Sequence, residues 1–247
     1  MKKIIAAVGL VILLASNAIA EGAFGIRGSI GASFMSLDSK YESNMGDYYS
    51  SLLSTATGVS PASWTMGSEA AFMGGFGLFG NFSIPTCPEL GVQCELNFLF
   101  NKGSFTVESK VSGAALEGNY EGSYTTMELP LLLTYTVNKG GFFEFVPQLG
   151  GYLSIPIGKC EEEVDARLKV NGVTSTNSKE TQKERITSSV IFGAAVGADF
   201  ALNLSETSAL LLNVRYMHDF NKLELSDVAV ARRSVLLFSA GYRYTIK

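Results

Sequence analysis

The chain has 247 residues, of which 47% are hydrophobic and 17% charged, with a formal net charge of −4. That length admits one barrel-sized domain or two small ones, and the acidic balance excludes the basic footprint of a nucleic-acid binder. After residue 20 no stretch reaches the roughly 20 apolar residues of a transmembrane helix; the longest, Val190 to Ala198, is cut short by Asp199.

Residues 1–20 have the form of a secretory signal. Lys2 and Lys3 precede an apolar core from Ile4 to Leu14, and Ala18-Ile19-Ala20 is a small-x-small cleavage site. The expected mature chain starts at Glu21, with no cysteine after the apolar core to carry a lipid anchor. Losing two lysines leaves 17 basic against 23 acidic residues, 17 − 23 = −6.

The apolar content is dealt out in alternating segments of about ten residues, the pattern of membrane strands. Strand one runs from Ala23 to Ser36, with Phe24, Ile26, Ile30 and Phe34 on one face and Gly25, Arg27, Ser29 and Ser33 on the other. Residues 37–67 are polar and rich in Ser and Tyr, and predict a long loop with a short helix near Tyr48–Thr55. Strand two starts near Ser68 and carries Ala70, Phe72, Phe76, Leu78 and Phe82 on its apolar face; Pro85 and Pro88 then force a turn. Strand three sets Leu90, Val92, Cys94, Leu96, Phe98 and Phe100 against Gln93, Glu95 and Asn97. Residues 101–118 predict a glycine-containing loop whose flanks extend the strands.

Strand four opposes Met127, Leu129, Leu131, Leu133 and Tyr135 to Thr126, Glu128 and Thr134, and Asn138-Lys-Gly-Gly141 is a tight turn. Strand five sets Phe143, Phe145, Leu149, Leu153 and Ile155 against Glu144, Gln148 and Ser154. Pro130 and Pro147 fall inside these strands, where bulges would accommodate them. Residues 158–187 are the most charged segment, nearly balanced in sign, and predict a solvated loop. Strand six carries Phe192, Val196 and Phe200 outward, and Asn203 to Thr207 turns the chain. Strand seven has Leu210, Leu212, Val214 and Tyr216 out, Asn213 and Arg215 in. A loop through Asp219–Arg233 leads to the last strand, Ser234–Lys247.

The count is eight, with alternating long and short connections. The expected fold is all-β: an eight-stranded antiparallel transmembrane barrel, residues 21–247, with short periplasmic turns and long extracellular loops. Soluble eight-stranded barrels also alternate, but do not usually load aromatics such as Phe34, Phe100, Tyr135 and Tyr244 at the ends of the apolar face.

The tail Ser239, Gly241, Tyr244, Ile246 resembles the C-terminal signal read by the outer-membrane barrel assembly machinery, displaced by one residue because the chain ends on Lys247. Met127-Glu-Leu-Pro-Leu-Leu-Leu-Thr-Tyr135, Phe145-Val-Pro-Gln-Leu-Gly-Gly-Tyr-Leu-Ser154 and Phe192-Gly-Ala-Ala-Val-Gly-Ala-Asp-Phe200 leading to Leu212-Asn-Val-Arg-Tyr216 resemble the PorT-like outer-membrane β-barrel family. That resemblance implies the fold and an outer-membrane location in a diderm bacterium, and little about biochemistry.

Among chemical groups, Cys87, Cys94 and Cys160 leave a Cys87–Cys94 bridge open, while the apolar face at Cys94 favours a buried free thiol. No Cys/His spacing suggests a metal, and no cofactor motif is present. The sole histidine, His218, lies beside Asp219 near an outer rim; lipid A deacylases loosely resemble this, but position 220 is Phe, where they place a serine. No enzymatic activity is therefore expected. By parity Arg27, Glu95, Glu128, Glu144, Asp199, Arg215 and Arg243 point inward. Arg215 is expected to neutralise a Glu95–Glu128 pair in mid-barrel, with separate hydration of these charges as the alternative. The expected role is anchoring in outer-membrane lipid and display of loops to an external protein or ligand. Passage of a small or apolar solute and outer-leaflet lipid modification are the alternatives.

Overall fold

The computed structural model describes residues 21–37, 39–61, 63–171, 173–185, 190–224 and 230–246; the predicted signal, 1–20, lies outside them. The strands are β1 (Gly22–Leu37), β2 (Ser63–Glu69), β3 (Ala71–Ile84), β4 (Cys87–Val111), β5 (Ala114–Tyr135), β6 (Phe143–Val170), β7 (Val173–Arg185), β8 (Ile191–Asn203), β9 (Ser208–Asp219), β10 (Leu223–Glu224) and β11 (Val230–Ile246). One helix, α1 (Ser39–Thr57), lies between β1 and β2.

Eight strands close a ring in the order β1-β3-β4-β5-β6-β8-β9-β11, and β11 returns to β1. That closing seam is antiparallel from Gly22↔Ile246 to Leu37↔Ala231, so the barrel has no free edge. Closure matters because hydrocarbon offers no partner to a strand N–H or C=O. The wall turns its apolar side out: Ile30 is 60% exposed and Leu212 64%, whereas Arg215 on the lumen face is 3% exposed. The fold is the eight-stranded antiparallel barrel of outer-membrane proteins, as the alternation predicts.

The strands are very unequal. β8 and β9 have 13 and 12 residues, whereas β4, β5 and β6 have 25, 22 and 28 and overrun the barrel on the side of the long connections. The segment predicted as a loop at 101–118 is instead the upper half of β4 and β5, paired without shift from Asn101↔Tyr124 to Val111↔Ala114. A two-residue turn joins them, with Gly113 at φ +80°. The charged segment at 158–187 is likewise a hairpin of β6 and β7, paired from Lys159↔Arg185 to Val170↔Val173. On β7 both faces are polar, whereas β6 does alternate, with Val164, Ala166 and Leu168 set against Glu163, Asp165 and Arg167; the density of charge around them reads as a loop and hides that period. Residues 37–67 hold a 19-residue helix rather than a short one, followed by β2, which pairs with the upper part of β4 from Glu69↔Ser104 to Ser63↔Lys110. Predicted strand two thus begins at Ala71, and Ser68 and Glu69 belong to β2.

Pro130 and Pro147 need no bulge. The β4–β5 ladder skips the rungs Glu95/Pro130 and Leu96/Leu129 yet keeps its register, while Pro130 pairs with Tyr152 on its other side. Pro147 sits one residue past the end of the β5–β6 ladder, whose last rung is Thr134↔Gln148. In both cases the missing N–H faces a position without a rung. All three cysteines are free: Cys160 is buried, but Cys94 is only partly buried on the outward face, contrary to the buried thiol expected there.

Candidate functional site

Inward residues of the wall stack into tiers. Lowest, near the short turns, Arg243 Nη2 lies 2.7 Å from Glu144 Oε2 and donates to Asn203 Oδ1 at 3.0 Å. Glu144 also accepts from Gly140 N at 2.8 Å, which ties the tier to the 138–141 turn. Phe79, Ala201, Ala209 and Leu211 form an apolar layer in the lower barrel.

The central tier is a two-arginine, two-carboxylate knot. Arg215 grips Glu95 with both nitrogens, at 2.7 and 2.8 Å, and donates to Gln148 Oε1 at 2.8 Å. Arg27 lies 3.4 Å from Glu95 and 3.8 Å from Asp199, and stacks over the Phe79 ring at 4.5 Å. Asn213 donates to Asp199 at 2.7 Å. Bidentate guanidinium–carboxylate geometry is the strong form of such a pair, and here every member lies on a different strand or spans the lumen.

A second apolar layer of Met73, Leu99, Leu132, Ala195, Met217, Val235 and Leu237 lies above this knot. An upper tier centres on Arg233, which lies 2.6 Å from Glu128 and 3.3 Å from Asp219 and donates to Asn101 at 2.6 Å. Tyr152 donates to the other side of Asp219.

The seven residues assigned inward by parity are thus divided among tiers. Arg27, Glu95, Asp199 and Arg215 meet in the centre, Glu144 and Arg243 below, and Glu128 above. Arg215 does not bridge Glu95 and Glu128: Glu128 belongs to Arg233, with the layer of Leu99 and Met217 in between. A last strand that begins at Ser234 leaves Arg233 in the preceding loop, whereas β11 extends back to Val230. Carrying its alternation two residues upstream of Val235 puts Arg233 on the lumen face.

Above the barrel, β2, β4, β5, β6 and β7 continue as an open sheet, and α1 packs against it. Met45, Tyr49 and Leu53 of α1 meet Val107 and Leu116 in a separate core, with Met66, Phe105, Tyr120 and Leu168 around it. The signal for α1 was present as Met45, Tyr49 and Leu53 at i, i+4, i+8. Trp64 of β2 caps the contact at a close approach that only glycine permits, since a Cβ on Gly46 would lie 2.0 Å from Trp64. Burial in this platform pushes the Tyr49 phenol above its ordinary value of 10.0. On the outer sheet surface, charges pair across and along strands. Lys169 lies 2.6 Å from Glu117, and Lys179 pairs with Glu163. Arg167 holds the Asp165 carboxyl below its ordinary range through a hydrogen bond.

His218 faces outward at the barrel rim. Its Nδ1 lies 2.9 Å from Ser234 Oγ, the residue directly across the β9–β11 ladder, and Tyr216 donates to the same hydroxyl at 3.2 Å. The serine that position 220 lacks is therefore supplied from the neighbouring strand. Among the described residues no carboxylate pairs with the imidazole to orient it, and Asp219 points to the lumen, so the arrangement is a cross-strand hydrogen-bond chain without the third member of a triad. Of the terminal pattern, Tyr244 and Ile246 face outward, 51% and 53% exposed, while Ser239 bonds Ser29 at 2.8 Å across the seam. Gly241 lies so close to β1 that an added Cβ would meet Ile26 O at 2.5 Å.

No family model matches the chain, and no curated protein matches it. Among solved structures the chain is similar to the outer membrane protein OprG from Pseudomonas aeruginosa, at 15% identity over 91% of this chain and 96% of that one, TM-score 0.40. It is also similar to Neisserial surface protein A, at 15% identity over 90% and 97%, TM-score 0.38. Ail, the attachment invasion locus protein of Yersinia pestis, aligns at 13% identity over 90% and 99%, TM-score 0.35.

Proposed function

We propose that this chain is an outer-membrane anchor that holds a rigid sheet-and-helix platform outside the cell for contact with an external partner. The observation that carries the reading is the platform's own core: Leu53 and Val107 are 0% and 1% exposed in a unit built directly on barrel strands. A loop that merely closes a barrel needs no such core. The lumen supports the same role, because alternating polar and apolar tiers are stacked across it above a cavity of about 510 Å³ at the end of the short turns. The apolar layers would have to part before any ion crossed.

In this reading the protein works without catalysis, lipid on the wall face is its solvent, and the terminal strand bearing Ser239, Gly241, Tyr244 and Ile246 is what the assembly machinery reads. The PorT-like pattern in β5, β6, β8 and β9 fits the same outer-membrane role. Reconstituted protein in a planar bilayer is expected to show no unitary current steps; reproducible steps would replace anchoring with transport. A cysteine at Ser178 in a Cys87→Ser background should react with an impermeant maleimide on intact cells. A cysteine at Ser205 should react only after permeabilisation. The reverse pattern would place the platform on the inner side and remove the proposed role.

A further inference from the structure

A notch interrupts the outer wall where barrel gives way to platform. The last β3–β4 rung is Gly74↔Phe100, and β2 takes up β4 only at Ser104, so residues 101–103 of β4 have no rung on that side. On the other flank the β5–β6 register shifts between Ser123↔Glu161 and Thr125↔Ile157, leaving Gly158, Lys159 and Cys160 opposite Tyr124 alone. Gly158 makes this bulge possible with φ +85°. Cys160 stays buried and Lys159 is turned out to the exposed face. Between the two irregularities lies a groove of about 440 Å³.

The groove straddles a boundary. Its lower wall is Phe72 and Phe100, 66% and 55% exposed, the last large apolar residues before the platform on their strands. Its upper wall is Lys102 and Lys159, each the first cation met on its strand above the apolar face. No ion pair among the described residues engages either lysine. The hydroxyls of Ser123 and Thr125 lie between the two walls. Aromatics below and ammonium groups above match the two halves of a membrane amphiphile: an acyl chain at hydrocarbon depth and a phosphate at the interface. Glu161 lines the same upper wall.

From this we infer that the groove is a binding site for one outer-leaflet phospholipid, its phosphate held by Lys102 and Lys159 and one chain laid over Phe72 and Phe100. A compact ammonium is a flexible point-charge donor to phosphate, and a bulge is a usual device for re-aiming one side chain out of a strand.

The test uses the full chain folded in maltoside micelles, with lipid binding read by native mass spectrometry. Three probes are offered: dihexanoyl phosphatidylethanolamine, inorganic phosphate, and dihexanoyl glycerol, which has the chains without the phosphate. The phospholipid should be retained at one per protein, and the other two should not. Lys102→Gln with Lys159→Gln should weaken retention by about tenfold or more, equivalent to at least about 1.4 kcal/mol. Lys102→Arg with Lys159→Arg should keep most of it. Lys110→Gln with Lys179→Gln, on the platform away from the groove, should change nothing. Heat modifiability of each variant shows that the barrel has folded. Retention of inorganic phosphate equal to that of the lipid would make this a free-anion site, and equal retention of dihexanoyl glycerol would make it a simple acyl contact. Unchanged retention in the double Gln variant would remove the assignment. The outer-leaflet assignment rests on the platform lying outside the cell, which the maleimide test decides; none of the lipid outcomes bears on that side or on conduction, so a failure of the site and a failure of the anchoring role are told apart.

Discussion

The barrel and the platform are one sheet with opposite interiors. Along β5, Thr126 and Glu128 are wholly buried in the barrel while Leu131 and Leu133 face out at 50% and 57% exposure. Higher on the same strand Leu116 is buried against α1, and Glu117 turns to solvent, where it meets Lys169. The backbone geometry is the same in both halves; what changes is the medium outside. Where that medium is hydrocarbon, hiding apolar side chains gains nothing, and the hidden face is free to be polar provided every group is paired. Where it is water, apolar burial drives the contact and the pattern inverts. Identical strands therefore rest on pairing in one region and on packing in the other, and substitutions should separate them.

The largest effect is expected in the upper barrel tier. Arg233→Met leaves Glu128 and Asp219 buried without their cation, and removing one partner of a buried pair typically costs about 3–5 kcal/mol. Adding Glu128→Gln should recover much of this in urea unfolding, while Glu95→Gln should not; Glu95→Gln should instead rescue Arg215→Met. If either carboxamide rescued either arginine variant equally, the tiers would be one network and the intervening apolar layer irrelevant. Next, Leu53→Ala empties the platform core and should cost about 2–5 kcal/mol there. Hydrogen exchange in residues 101–124 should quicken while the barrel's unfolding midpoint stays put. A matched fall in the midpoint would mean that the two regions unfold as a single unit.

Tyr244→Asp with Ile246→Asp puts charge on the lipid face, at roughly 0–4 kcal/mol per site depending on depth. It should also leave exported chain unassembled, seen as loss of heat modifiability. Normal assembly of this variant would separate the terminal pattern from recognition. The smallest effect is alkaline. Because burial raises the Tyr49 phenol, both states are protonated below about pH 10 and the platform has its full stability. Above that the unfolded chain ionises first, and stability is lost as pH rises through the folded value. Tyr49→Phe should remove this part of the alkaline slope in platform exchange rates and leave the barrel's pH profile unchanged.

How far the sequence could be read follows from the same contrast. Period-two alternation is strongest where one face meets lipid, so the eight barrel strands were legible down to the inward parity of Glu95 and Arg215; on the platform it survives in weaker form, as Val107 and Leu116 against Glu108 and Glu117. Above the membrane, Thr106, Glu108, Ser178 and Lys179 stand in strands whose open face is wet, and polarity there reads as loop. Charge balance in residues 158–187 looked like solvation, though Lys179 and Glu163 are cross-strand neighbours on β6 and β7. The groove was not legible at all. It depends on a register shift and on where one strand stops pairing, and neither leaves a local mark beyond Gly158.

β4, β5 and β6 pass from lipid to water without a break, and that has a mechanical side. From Asn101 to Val111, at about 3.4 Å per residue, β4 extends roughly 35 Å past its last rung with β3, or about 27 Å of height at a tilt near 40°. There is no linker to swing. A tug on α1 or β7 is delivered lengthwise into ladders that share the load among many hydrogen bonds at once, and from there into the closed ring. A platform mounted in this way behaves as a mast stepped through the deck rather than a flag on a cord: it holds its bearing, and any load on it is carried by the whole barrel.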